Sequence, residues 1–306
     1  MPYALSSIPS PITMTCSVIS ETTQDFLTQL PHPFYGHIHS IFQRACNIQV
    51  GQTLIGILSK ELRCTPSSFL LSEQVNIYDW RLSEQDQVII YKNHISLSDQ
   101  LHIGYSNSTA YSPSLTLSFS AHPDLVKVLE KLITRYSGRS PFFSELASYL
   151  GYASPSNSIY TSPIHNFLSC IGNSTLHLED AAQKLCGLGE GLTPSGDDFL
   201  AGFISVLSLI QESKYCSPSL LSTLSHLKNA LNVDFLKQHT TVFGAHTINW
   251  AKKGHVSDPV KAFLSSLWEG KNNIDICAEN LLKIGHYSGS DMMAGIVAAF
   301  YYIEVL

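Results

Sequence analysis

The residues with the most chemistry in this chain stand together at 187–198, Gly187-Leu188-Gly189-Glu190-Gly191-Leu192-Thr193-Pro194-Ser195-Gly196-Asp197-Asp198. Four glycines, two hydroxyls and two adjacent carboxylates fall within these twelve residues, and an apolar run from Phe199 to Ile210 follows at once. The pattern predicts a glycine-rich loop feeding a buried helix. A helix start carries unpaired N–H groups and the positive end of a dipole, which suits an anionic ligand. Thr193 and Ser195 add hydroxyl donors. Helix capping alone asks for one polar residue and is worth about 1 kcal/mol; it does not ask for this whole set. Two carboxylates beside an anion repel it, and three arrangements escape that. One Asp caps the helix and points away, or the pair holds a divalent cation such as Mg²⁺, or an Asp accepts hydrogen bonds from a substrate amide.

The motif returns near the C-terminus. Ser195-Gly196-Asp197-Asp198-Phe199-Leu200-Ala201-Gly202 aligns with Ser288-Gly289-Ser290-Asp291-Met292-Met293-Ala294-Gly295 at a constant offset, 288 minus 195 being 93. The small Ala-Gly pairs one turn into each helix predict close helix packing. If the helices cross there, Asp198 and Asp291 lie side by side and the two loops share one pocket.

Other residues are weaker on their own. His286, just before the second loop, has an imidazole that works as acid, base or donor near neutral pH. His37 and His39 alternate on a predicted strand and share a face, but two imidazoles need a third ligand to hold a metal, so polar packing is the simpler reading. Arg44 and Asn47 follow as anion and amide partners. Thr240 and Thr241 open an apolar helix that includes His246, with Thr as a competent cap. The chain shows no Walker A sequence, no HExxH and no GxSxG elbow.

The elements that must position these residues divide the chain. Residues 1–120 read as a β-rich domain with runs at Ile12–Ile19, Phe34–Phe42, Thr53–Leu58, Ser68–Leu71 and Gln87–Tyr91. Turn signals at Pro31–Pro33, Asn47, Gly51, Pro66 and Asn76 separate them. Ser106–Ser114 reads as a loop or linker. Residues 121–306 read as a helical domain carrying both repeated loops. Helical spacing appears from Asp124 to Ile133, after Ser140-Pro141, and over 176–186, 198–212, 218–237, 239–252, 258–269, 274–284 and 291–304, with a loop from Gly151 to Pro163. The fold class is α+β, a β-rich N-terminal part followed by a mostly helical C-terminal part.

Bulk properties exclude several classes. Charged residues make up 14% of the 306 residues and the net charge is −6, with no basic stripe, which argues against nucleic-acid binding. The seven cysteines are scattered and odd in number, as expected of free thiols in a reducing compartment. The first residues lack the pattern of a signal peptide. The longest apolar stretches, 199–210 and 292–306, fall short of the roughly 20 residues of a membrane span. A cytoplasmic protein is expected.

The segment 187–198 with Leu200 and Gly202 resembles the signature of a bacterial family of unknown-function domains. That family includes the AllH-type subunit of anaerobic oxamate carbamoyltransferase, which acts in allantoin degradation. Further matches lie at His39-Ser40-Ile41-Phe42 with Ala45 and Asn47, and at Gly285-His286 with Ser288, Gly289, Asp291 and Gly295. Met292-Met293 departs from the Leu-type residues expected there. The resemblance implies carbamoyl transfer between carbamoyl phosphate and oxamate, with partner subunits. Ligands of that kind carry phosphate, carboxylate and amide groups. The catalytic set expected is Asp198, Asp291 and His286. The substrate-binding set is Gly189, Gly191, Thr193, Ser195, Gly196, Asp197, Ser288 and Gly289, with His39, Ser40 and Asn47 from the N-terminal part. No metal ligands are assigned. Two other classes stay open: a non-catalytic subunit that binds a small anion or scaffolds a complex, and a metal-dependent hydrolase.

Overall fold

Alternation of apolar and polar residues builds the first unit. In the computed structural model, which describes residues 12–115, 124–173, 177–211, 216–271 and 273–305, the chain divides into two compact units, 1–113 and 114–306. The N-terminal residues expected to lack a signal peptide lie outside the described residues. In the first unit β1 (Ile12–Ser20) leads into helix α1 (Glu21–Thr28), followed by β2 (Phe34–Ile41), β3 (Ala45–Val50), β4 (Thr53–Leu58), β5 (Ser68–Leu71), β6 (Gln87–Ile90), β7 (His94–Ser98), β8 (Leu101–Gly104) and β9 (Thr109–Tyr111). The sheet runs β5-β4-β3-β2-β6-β7-β8-β1-β9, and β5 also pairs with β1. That last pairing closes eight strands into a barrel, with β9 running parallel to the end of β1. Alternate residues such as Cys46, Ile48 and Val50 of β3 point inward and fill it. A barrel of this size is packed solid with side chains.

Asn47, expected at a turn, lies in mid-strand, opposite Ser40 on one side and Gly56 on the other. The register between β2 and β3 shifts between Ile38 and Ser40, so β2 gains one residue at His39. Such a bulge re-aims the residues beyond it.

The second unit is helical: α2 (Leu125–Tyr136), α3 (Pro141–Tyr149), α4 (Thr161–Asn173), α5 (Leu178–Leu185), α6 (Ser195–Ile210), α7 (Pro218–Ala230), α8 (Val233–His239), α9 (Val242–Ala251), α10 (Asp258–Glu269), α11 (Ile274–Leu281) and α12 (Ser288–Val305). Helix α4 begins inside the stretch read as a loop. Pro163 sits in its first turn, where a missing N–H does no harm. The preceding segment is pinned by Ser158 Oγ and Thr161 Oγ1, which donate to the buried Glu145 carboxylate at 2.7 and 3.0 Å. The expected helix 218–237 is two helices, because Asn232 caps α8 by accepting from Phe235 N–H at 3.0 Å. Helix α6 is buried on nearly all sides, as its all-round apolar sequence requires.

This unit is built twice. Buried Leu129, Leu132, Ile133 and Tyr136 of α2 match buried Leu220, Thr223, Leu224 and Leu227 of α7. Pro163, Phe167 and Leu168 of α4 match Pro259, Phe263 and Leu264 of α10. Ala181, Ala182 and Leu185 of α5 match Cys277, Ala278 and Leu281 of α11, all buried. Helix α8 is the addition in the second copy. The copies interlock: α3 packs on α12 while α9 packs on α6. Arg135 of α2 meets Asp275 of α11 at 2.9 Å, and His226 of α7 meets Glu179 of α5 at 2.8 Å.

Candidate functional site

The helix starts of the interlocked copies converge on two aspartates. Helices α6 and α12 cross at their glycines with backbones in direct contact. A Cβ on Gly202 would stand 2.1 Å from Met292 O, and one on Gly295 would stand 2.0 Å from Phe199 O. Close approach therefore demands glycine at both positions. Each helix start also presses on the helix before it: a Cβ on Gly196 or Gly289 would lie 1.9 Å from the carbonyl oxygen of Leu185 or Leu281 respectively. Gly189 turns the first loop at φ +113°, a conformation side chains rarely adopt.

The repeated loops meet. Thr193 Oγ1 and Ser288 Oγ are 2.9 Å apart. The motif residues Ser195 to Asp198 and Ser288 to Asp291 are the first turns of α6 and α12, so each helix begins earlier than its apolar run. The two aspartates face the opposite copy. The Ser288 hydroxyl of the second copy acts on Asp198, and the Ser195 hydroxyl of the first acts on Asp291. Asp198 also has Thr193 from its own loop, and Asp291 has the Ser140 hydroxyl and the Phe142 N–H at the start of α3. The matching cap on α9, Thr241, instead donates to Leu192 O and accepts from Gly244 N–H at 2.9 Å.

Burial dominates the electrostatics. Asp291 is 0% exposed and Asp198 2%. Desolvation pushes Asp198 well above the usual carboxylate range, the Asp291 charge adding to this and Ser288 and Thr193 opposing it. Desolvation likewise raises Asp291 to about 6, against the pull of Ser140, Ser195 and Phe142 N–H. These donors favour ionisation but leave much of both carboxyl groups unserved. Among the described residues, Asp198 Oδ2, both oxygens of Asp291 and the Ser290 hydroxyl are buried with no hydrogen-bond partner.

Asp197 differs. Its Oδ1 accepts from Gly187 N–H at 2.8 Å and its Oδ2 from Thr240 Oγ1. It ties the loop to the start of α9, and both its oxygens are engaged. The helix-start amides are also engaged: Gly196 N–H donates to Leu188 O at 2.8 Å, Asp197 and Asp198 N–H to Pro194 O at 2.9 and 3.2 Å. In the second copy Gly289 N–H donates to Ile284 O at 3.0 Å and Asp291 N–H to Tyr287 O at 2.9 Å.

The remaining expected residues fall in three places. Glu190, Gly191, Leu192, Gly285, His286 and Tyr287 form the exposed tips of the loops, with Gly189, Thr193 and Ser288 half-buried beneath them. The His286 ring packs at 4.2 Å from that of Tyr287. Ser40 and Asn47 are neighbours in the barrel, where Asn47 Nδ2 donates to Ser40 Oγ at 3.0 Å, and His39 lies at the bulge beside them. Sequence reasoning missed Ser140 and Phe142. Their signal was the likeness of Ser140-Pro141-Phe142-Phe143 to Thr241-Val242-Phe243-Gly244, the same caps on α3 and α9.

A family model described as oxamate carbamoyltransferase subunit AllH matches residues 185–300. A second, the AllH family N-terminal domain, matches residues 13–110. The chain belongs to the AllH family. The first AllH match spans both repeated loops and the second spans the barrel. No solved structure matches the chain significantly. Among the described residues no helix is long and apolar enough to cross a membrane, and no group of three or more His, Cys, Asp or Glu is placed to hold a metal ion.

Proposed function

We propose that this chain is a catalytic subunit of a carbamoyltransferase of the oxamate type, taking a small anionic substrate such as carbamoyl phosphate or oxamate at its paired glycine-rich loops. In this reading it works in the cytoplasm, in allantoin degradation, with the other subunits that the family's description as a subunit implies. The observation that carries the reading is the meeting of two repeated loops around two buried, under-bonded carboxyl groups. Group transfer needs reactants held in register and polar groups aimed at the reacting atoms. Asp198 and Asp291 are the catalytic pair. Thr193, Ser195 and Ser288 supply hydroxyls, and His286 acts from the exposed rim. Gly191 leaves open space at the loop tip, Gly189 turns the loop, Gly196 and Gly289 let each helix start press on the helix before it, and Asp197 holds the loop in shape.

One observation favours a second reading, a scaffolding subunit: the helix-start N–H groups of Gly196, Asp197, Asp198, Gly289 and Asp291, which an anion could use, already donate to the chain's own carbonyls. Asp198→Asn and Asp291→Asn separate the two. The first reading expects the multi-subunit complex to assemble with each variant while carbamoyl transfer falls at least about 100-fold, the scale of a lost acid or base. Turnover that persists in both would leave the loops a structural role.

A further inference from the structure

We infer that Asp198 and Asp291 form one site, at the junction of the duplicated halves, that takes the –NH₂ end of a primary amide or carbamoyl compound and leaves the ligand's anionic end toward the exposed loop tips. The inference rests on the small-ligand reading above and assigns the ends of that ligand.

Counting donors and acceptors carries the argument. A buried anion would need free donors, and the N–H groups of Gly196, Asp197, Asp198, Gly289 and Asp291 are spent on Leu188, Pro194, Ile284 and Tyr287 carbonyls. What stays unsatisfied here, beside the Ser290 hydroxyl, is acceptors. Three carboxyl oxygens, Asp198 Oδ2 with Oδ1 and Oδ2 of Asp291, are buried without a hydrogen bond of good geometry among the described residues, the Ser288, Thr193, Ser140 and Ser195 hydroxyls and Phe142 N–H acting on the two carboxyls only loosely. An unpaired buried polar atom is costly, and native sites rarely keep one without a use. Neither aspartate caps its own helix. Each faces the serine at the start of the other helix, Asp198 toward Ser288 and Asp291 toward Ser195. The duplication thus brings two equivalent carboxyls to one junction, where a group with two N–H donors satisfies both. An –NH₂ has two such donors, and a methyl of similar size has none.

Solvent lies close by. Thr193 and Ser288, 2.9 Å apart, are half-buried, and the residues that follow them outward along each loop, Leu192 and Tyr287, are 53% and 43% exposed. The anionic end therefore lies outward among the glycines and hydroxyls, away from the carboxyls that would repel it.

Two isosteric pairs test this on the full chain by titration calorimetry: oxamate against pyruvate, and carbamoyl phosphate against acetyl phosphate. Each pair exchanges –NH₂ for –CH₃ and keeps the anion. We expect the –NH₂ member of at least one pair to bind at least about tenfold tighter, a hydrogen-bond difference of roughly 1.4 kcal/mol. The preference should vanish in Asp291→Asn, with Asp198→Asn as the second variant should the first not fold. Equal binding within both pairs would overturn the assignment and leave the small-ligand reading standing, as would an undiminished preference in folded variants. Failure of all four compounds to bind would overturn both.

Discussion

Asp291 concentrates the energetic tension of the site. Its unfolded carboxyl titrates at the ordinary 3.8 and its folded one near 6, because burial opposes the charge more than Ser140, Ser195 and Phe142 N–H support it. The folded chain binds this proton more tightly, so the group's stabilising contribution is complete below about 3.8 and is lost as pH rises through about 6. The displacement corresponds to about 3 kcal/mol of lost stability at neutral pH. Asp291→Asn keeps the shape and removes the charge. Its melting temperature should therefore exceed the parent's by several degrees at neutral pH, and the two should converge in mild acid. Melts followed by circular dichroism across that range check this, and a variant less stable at neutral pH would show that the carboxylate is well solvated or paired. Sequence marked Asp198 and Asp291 as a pair through their common motif, since identical residues on a fixed offset are visible in one dimension. The same alignment set Asp197 apart, opposite Ser290, but gave no sign of what would hold it. That difference arises from Thr240 and Gly187, which reach only Asp197.

Helices α6 and α12 form the central crossing of the helical unit, and their contact is reciprocal. Gly202 lies on the Met292 carbonyl and Gly295 on the Phe199 carbonyl. A methyl at either point meets backbone, which cannot rotate aside, so the helices must part. Gly202→Ala and Gly295→Ala should each lower stability by about 3 kcal/mol, the upper part of the usual range for overpacking, and by similar amounts. Denaturant unfolding of the two variants measures both; one silent substitution would break the reciprocity. The Ala-Gly repeat made this crossing legible. The rest of the duplication was not. Helices α2 and α7 share buried positions but almost no residue types, because a core accepts any apolar side chain of suitable size. Helix α4 was hidden by Pro163, which signals a break in mid-helix and none in a first turn. The break between α7 and α8 rests on one side-chain cap at Asn232, too local for periodicity to register.

For the whole molecule, the α+β order was legible because period-two alternation gives way to helical spacing along the chain. Barrel closure was not, since it depends on β1 pairing with both β5 and β8, partners distant in sequence. Asn47 misled for the same reason: its residue type favours turns, and only its neighbours Ser40 and Gly56 on adjacent strands explain a place in mid-strand. Closure has a consequence for the independence of the parts. Among the described residues, closure leaves only the three-residue β9 as a sheet edge, and the barrel buries its own cluster around Ile38, Ile48, Ile57 and Phe69. The helical unit buries another around Phe167, Phe199, Phe203 and Trp268. Residues 1–113 and 114–306, expressed separately, should each unfold in one cooperative transition, the first with a β-type circular dichroism spectrum and the second with a helical one. The helical unit is the decisive case, because both copies of the duplicated loop and both aspartates lie within it. If 114–306 melts without cooperativity, the interlocking of α3 on α12 and α9 on α6 does not suffice to hold the carboxyl pair together. A cooperative melt means that the junction of the two halves is a complete structural unit whose aspartates can be titrated and substituted without the barrel.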